Sequence, residues 1–121
     1  MILATIPATQ RSPEIHFEEN SSILFIAGSS TMDDPMAFYK PIIEWLEGYL
    51  KQNKNQNITI NVDFEFFNDD SSKALLHILY KLENSDSLVV WNYRLKDVEI
   101  KEAGENFSDM LNLNFELKER V

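Results

Sequence analysis

The sequence contains no cysteine, which excludes both a disulfide framework and a thiolate zinc site. Its three glycines form no Gly-rich loop that could cradle phosphates, and no Ser/His/Asp order of the hydrolase kind is present. Basic residues are scarce. Eleven Lys and Arg against 20 Asp and Glu leave a formal charge of −9, which repels nucleic acid phosphates and anionic lipid. No stretch reaches the roughly 18 apolar residues of a membrane span. The opening MILATIPATQRSPE has too short an apolar run, and no basic flank before it, for a signal peptide. The expectation is a soluble, cytoplasmic protein with neither nucleic acid nor membrane as partner. His16 and His77 are the only histidines. Neither lies beside a nucleophile or a third ligand, so both read as satisfied surface or edge side chains.

What is present is 44% apolar and 26% charged in 121 residues, enough to bury one core, so residues 1–121 are expected to form a single domain. EIHFEENSSILFIAG gives two extended runs joined by Glu19, Asn20, Ser21 and Ser22, an antiparallel hairpin ending at Gly28. From Asp34 the period changes. Met36, Tyr39, Ile43, Leu46 and Leu50, widened by Phe38, Ile42, Trp45 and Tyr49, form the apolar face of a helix. Asp34 can cap that helix and Pro35 fits its first turn, with KQNKNQN as the loop that ends it. ITINVDFEFF alternates with period two, placing Ile58, Ile60, Val62, Phe64 and Phe66 on one face. A second helix from near Ser71, a buried strand LVVWNY, a weaker helix from Asp97 to about Asp109 and a closing strand LNFEL follow. The fold class is therefore α/β: a mixed sheet with an N-terminal antiparallel hairpin followed by parallel βαβ units, helices burying Ile43, Trp45, Leu46, Leu75 and Leu79 against it. No internal repeat, low-complexity tract or linker interrupts it.

One polar knot stands out between the second βα pair: Asn68, Asp69, Asp70, Ser71, Ser72 and Lys73. A helix N-terminus at the carboxyl edge of a sheet favours an anion through its unpaired N–H groups and its dipole. The same residue types also serve as ordinary caps, a contribution of about 1 kcal/mol. A single cap suffices, however, and here two carboxylates, two hydroxyls and a lysine share one turn.

Four blocks, IPATQRSPEI, GSSTMDDPMAFYKPIIEWLEGYL, FFNDDSSKALLHIL and WNYRLKDVEIKEAGE, in this order and spacing, resemble the SiaC-type family of bacterial regulatory phosphoproteins. The resemblance runs along nearly the whole chain. It implies a STAS-like fold and the logic of an anti-sigma-factor antagonist. Such a protein is phosphorylated by a partner protein kinase, dephosphorylated by a PP2C-like phosphatase, and binds an output protein in only one state. In this family the output is a diguanylate cyclase, which links it to cyclic-di-GMP signalling and biofilm behaviour, and the charged state is the one that does not engage it. The family's acceptor Thr is replaced here by Asp69, followed by Asp70. Asp69 would imitate a phosphate with a single negative charge against its roughly −1.5 to −2, leaving Ser71, the nearer to the orphan donors, or Ser72 as acceptor. The family's Tyr-Pro-Glu-Asn is replaced by Thr31, Met32, Asp33 and Asp34. Ser30, that tetrapeptide, Asp97 and Glu99 are candidate partner contacts.

A second class of function stays open on the residues alone. Asp33, Asp34, Asp69, Asp70 and Asp97 could meet at the strand ends and hold Mg²⁺, as in an acidic-site phospho-receiver or small enzyme. The regulatory module, by contrast, needs no catalytic residue, cofactor or metal. Elsewhere, Lys73 reads as solvated or as a phosphate neutraliser, Trp45 and Trp91 as core, and Asp97, Glu99, Glu102 and Glu105 as a solvated face suited to a helix N-terminus. Gly104 inside a helix costs about 1 kcal/mol relative to Ala and marks close packing or a break. Gly28 needs no role beyond ending its strand.

Overall fold

Alternation in the strands and the helical period between them combine into a sheet with one covered face. The computed structural model describes residues 3–53 and 57–121. Its elements are β1 (Glu14–Glu18), β2 (Ile23–Ser30), α1 (Pro35–Gln52), β3 (Thr59–Phe67), α2 (Asp69–Tyr80), β4 (Leu88–Arg94), α3 (Val98–Met110) and β5 (Asn114–Arg120). The five strands lie side by side in sequence order. β1 and β2 are antiparallel and every later pair is parallel. An isolated bridge from Ile6 to Ile15 lays the N-terminal segment along the outer edge of β1. Right-handed crossovers between sequential parallel strands place all three helices on one face. The packing agrees: Phe17 of β1 meets Trp45 and Tyr49 of α1 with ring centres 4.6 and 5.1 Å apart, while Trp91 of β4 meets Phe107 of α3 at 5.5 Å.

The core matches the periodicities. Ile15, Leu24, Ile26, Ile60, Val62, Phe64, Val89 and Trp91 point inward from the strands, and Tyr39, Ile42, Ile43, Trp45, Leu46, Ala74, Leu75, Ile78 and Leu79 face them from α1 and α2. Each fully buried side chain of this size contributes about 1.5–3 kcal/mol. Gly104 marks close packing and not a break. α3 runs straight through it, and a Cβ built there would lie 2.6 Å from Trp91 Nε1. The indole N–H donates to the Ile100 carbonyl at 2.8 Å, fixing the ring against α3.

Four expectations need correction. α1 runs through Lys51 to Gln52, capped by Asn53 donating to the Tyr49 carbonyl, so the KQNKNQN loop starts later than expected; residues 54–56 of that loop lie outside the described residues. α2 begins at Asp69, two residues before Ser71. β2 passes through Gly28, which takes φ +117° within the strand. Finally, Phe66 does not continue the inward face of β3. It is 67% exposed. Gly28 is opposite Phe64, but Ser29 is opposite Phe66, so Glu65 is an extra residue bulged out of β3. One inserted residue reverses the phase of a period-two strand. Phe67 turns inward instead, its ring stacked on Phe64 at 5.1 Å.

Candidate functional site

β2, β3 and β4 are parallel, so their carboxyl ends lie on one edge of the sheet. There the 31–34 loop, the knot and the turn into α3 are gathered. The β3 bulge sits directly before the knot, tying the end of β2 to it through the Asn68 N–H, which donates to the Ser30 carbonyl at 3.2 Å.

The capping question has a definite answer. Asn68 is the cap: its Oδ1 accepts from the Ser71 N–H at 2.9 Å, with extended backbone at the cap residue. Asp69 and Asp70 occupy the first turn, where their charge is favoured by the helix dipole by about 0.3–1 kcal/mol each, and both are exposed. Neither makes a hydrogen bond or ion pair to another described residue. Lys73 is likewise exposed and forms no ion pair with a described carboxylate. Two carboxylates therefore face solvent with no local task beyond the dipole.

Ser71 is placed very differently from Ser72. It is 1% exposed, and its hydroxyl donates to the Ser30 carbonyl at 2.7 Å. Its oxygen accepts from Ser30 Oγ at 2.8 Å. With the Ser30 proton used there, the Tyr39 hydroxyl donates to Ser30 Oγ, 2.8 Å away. The result is a buried chain, Tyr39 to Ser30 to Ser71 and back to the β2 backbone, joining α1, β2 and α2. Burial pushes the Tyr39 phenol up to about 12, offset in part by the Ser30 hydroxyl, which can turn to donate to a phenolate. Ser71, expected to be the slightly better acceptor, is thus enclosed by β2, whereas Ser72 is half-buried and lines an open groove.

The 31–34 loop is held from outside by a residue that the sequence did not mark. Arg11 donates to the Thr31 carbonyl at 2.6 Å and pairs with Asp33 at 3.0 Å, while its own carbonyl accepts from the Thr31 N–H. Asp34 caps α1, accepting from the Ala37 N–H at 3.2 Å. Met32 is half-buried with its sulfur 3.8 Å from Ser30 Oγ. Asp97 precedes α3 without a side-chain capping bond, and Glu99 is exposed in the first turn of that helix.

These positions do not converge as a metal site requires. Among the described residues, no three His, Cys, Asp or Glu side chains are grouped to hold a cation. Asp33 is paired with Arg11 and Asp34 caps α1, and no third carboxylate of a described residue joins Asp69 and Asp70, so the Mg²⁺ reading of the five aspartates is not supported. What the edge does offer is a groove. One part, about 730 Å³, is lined by Phe67, Asp69, Ser72 and a face of α3. Another, about 590 Å³, is lined by Thr31, Phe66, Lys96, Asp97 and Val98. Phe67 and Glu99 wall both. Phe66, Val98 and Met110 are exposed apolar side chains along it, and sequence reasoning missed all three as surface. The doubled phenylalanine of FEFF, against a strict alternation, was the one available signal.

No helix among the described residues is long and apolar enough to cross a membrane. No curated protein matches the sequence significantly. Solved structures do. Apo-SiaC from Pseudomonas aeruginosa superposes with a TM-score of 0.89 at 24% identity, covering 98% of this chain and 99% of that one. A second structure of SiaC of Pseudomonas aeruginosa gives 0.89 at 23% identity, over 99% and 100% of the two chains. SiaC from that organism in complex with the diguanylate cyclase SiaD, which it activates, gives 0.88 at 22% identity, over 97% and 99%. These likenesses carry the fold, with the same hairpin and parallel units. The sequence profile of the SiaC family regulatory phosphoproteins matches residues 6–120, and the chain therefore belongs to the SiaC family of regulatory phosphoproteins.

Proposed function

We propose that this chain is a non-enzymatic regulatory protein that acts in the cytoplasm by binding an output protein of the diguanylate cyclase class, and that its knot carries a permanent charge where relatives carry a phosphate acceptor. The observation that carries this reading is the division of labour at α2. Asn68 does the capping, and Asp69 and Asp70 stand exposed at the first turn with nothing inside the molecule to hold. Charge left free at a helix N-terminus is charge available to a partner. The chemistry fits a switch in its charged state: a partner that packs an apolar surface over the knot must strip water from two carboxylates, each an uncompensated buried charge costing several kcal/mol. Membership in the family supports a kinase and a PP2C-like phosphatase as further partners, with Ser72 as the remaining accessible hydroxyl of the knot. Thr31, Met32, Asp33, Asp97 and Glu99 lie along the same edge and would border the bound output protein.

The test is calorimetry of a candidate cyclase against the wild type and Asp69→Thr/Asp70→Ser at low and high salt. The double variant should bind more tightly, by about tenfold or more per uncompensated charge removed, and should become a substrate for the partner kinase. Equal affinity at low salt would reduce the aspartates to dipole partners of α2 and remove the switch from this site.

A further inference from the structure

The two lateral sides of the sheet are finished differently. On β1, the outermost strand at one side, Ile6 and Ile15 exchange two backbone hydrogen bonds of 2.9 Å, so the N-terminal segment shields that strand. β5, the outermost strand at the other side, pairs with β4 along all 7 of its residues and with no other described strand. Its outward N–H and C=O groups are open. A lone strand of this length is a template for another, and β4 separates it from β3 and the knot.

The side chains of NFELKER are complementary to themselves. Residues 116–120 are exposed, Leu117 among them at 36%. When two copies of the strand run antiparallel about a two-fold axis at Leu117, each Glu116 lies opposite Lys118 of the second copy, Leu117 opposite Leu117, and Asn114 opposite Arg120. Directly opposite residues share a face. Leu117 shares the helix-covered face with its β4 neighbour Trp91, so both Glu–Lys pairs meet on the uncovered face. Neither Glu116 nor Lys118 has an ion-pair partner among the described residues. Other registers lose the match. Sliding by one residue sets Glu116 opposite Leu117 or Glu119, and sliding by two sets Glu116 or Lys118 opposite its own copy. Like charges directly opposite are destabilising.

We propose that β5 is a dimerisation strand, at which two copies of this chain join antiparallel about Leu117 and fuse their sheets into one. The contact is isologous, so it closes at two copies and leaves no free strand at the join. It does not depend on the charge at the knot. Charged side chains also guard lone strands against pairing, but a guard needs no complementarity about an axis and leaves the chain monomeric.

Sedimentation equilibrium of the full chain at physiological ionic strength tests this, because there the repulsion between copies of charge −9 is screened beyond about 8 Å. The wild type should dimerise reversibly; a monomer from micromolar to millimolar concentration overturns the proposal. Glu116→Lys and Lys118→Glu each set like charges opposite at both pairs, and each should weaken the dimer about tenfold or more. The double variant Glu116→Lys/Lys118→Glu restores both pairs and should return affinity to near the wild-type value. Net charge alone forecasts otherwise: Glu116→Lys makes each copy less negative and would strengthen association, a result that overturns the strand pairing, as does failure of the double variant to recover. The axis has its own readout, since the chain has no native cysteine. Leu117→Cys should form an intermolecular disulfide on oxidation. Glu119→Cys should not, because its two copies stand about 13 Å apart along the strands, beyond the roughly 7 Å a disulfide spans. Equal cross-linking of both variants, or none at Leu117→Cys, overturns the register. Circular dichroism verifies that each variant folds.

Discussion

Replacing Gly104 by alanine sets two principles against each other within one residue. On helix propensity alone Gly104→Ala should stabilise by about 1 kcal/mol. The structure reverses the sign. The added methyl would sit 2.4 to 2.7 Å from three atoms of the Trp91 ring, inside any real contact distance, and the obstacle is not a flexible chain end. Trp91 is fully buried, wedged edge-on against Phe64, Phe67 and Phe107 at 6.2, 5.9 and 5.5 Å, and tethered to the Ile100 carbonyl. Relief requires either tilting α3 away from the sheet or rotating the indole. The first overpacks and strains the core, about 1–3 kcal/mol; the second also loses a buried hydrogen bond, about 0.5–1.5 kcal/mol. The net after the propensity gain is a loss of up to roughly 2 kcal/mol if α3 tilts and of roughly 0.5–3.5 kcal/mol if the indole rotates. Urea unfolding followed by tryptophan fluorescence reads it directly, and in a domain of this size Tm should fall by up to roughly 14 °C. A variant more stable than the wild type, as propensity alone forecasts, would refute the claim that α3 is seated on Trp91, and with it the placement of the groove-lining face.

Other outcomes follow from the knot and the chain beneath it. Asn68→Ala should cost about 1 kcal/mol of stability, since it removes the cap, whereas Asp69→Asn and Asp70→Asn should each cost no more than about 0.3–1 kcal/mol and the loss should fade with added salt; thermal melts at two ionic strengths separate them. Ser30→Ala should cost about 1–3 kcal/mol by leaving the Tyr39 hydroxyl without its partner in a site closed to water, and Ser71→Asp should be worse, because it places a charge where Ser71 is enclosed. Tyr39 gives a pH signature. Its folded value is raised from 10.0 to about 12, so the unfolded chain loses this proton first. The associated stability is fully present below pH 10, is lost as pH rises from about 10 to about 12, and amounts to about 2–3 kcal/mol. Tyr39→Phe should abolish that part of the alkaline loss in melts run between pH 8 and about 12. A wild type and variant with parallel alkaline profiles would mean the phenol ionises as easily inside as outside.

Period and composition by themselves determined the mixed sheet, the hairpin, the three helices and most of the core, because burial on one face imposes a repeat of two on strands and of 3.6 on helices. The cap at Asp34 was legible locally, and Gly104 was legible as a special position, though only the structure chose close packing over a break. The knot was visible as an excess of polar residues, and its resemblance to a regulatory phosphoprotein family lay in the order of four blocks along the chain. Tertiary structure decided the rest. Nothing local says that Asn68 and not Asp69 caps α2, since both are good caps; nor does anything local say that Glu65 bulges out of β3, because that register depends on pairing with Gly28 and Ser29 across the sheet. The same bulge sends Phe66 to the surface against its own alternation. Ser71 and Ser72 are adjacent and chemically identical in the sequence, yet one is locked under β2 through Ser30, 41 residues away, and the other opens onto the groove. Contacts between residues so distant in the chain leave no periodic trace, so only the folded molecule could tell a buried hydroxyl from an accessible one.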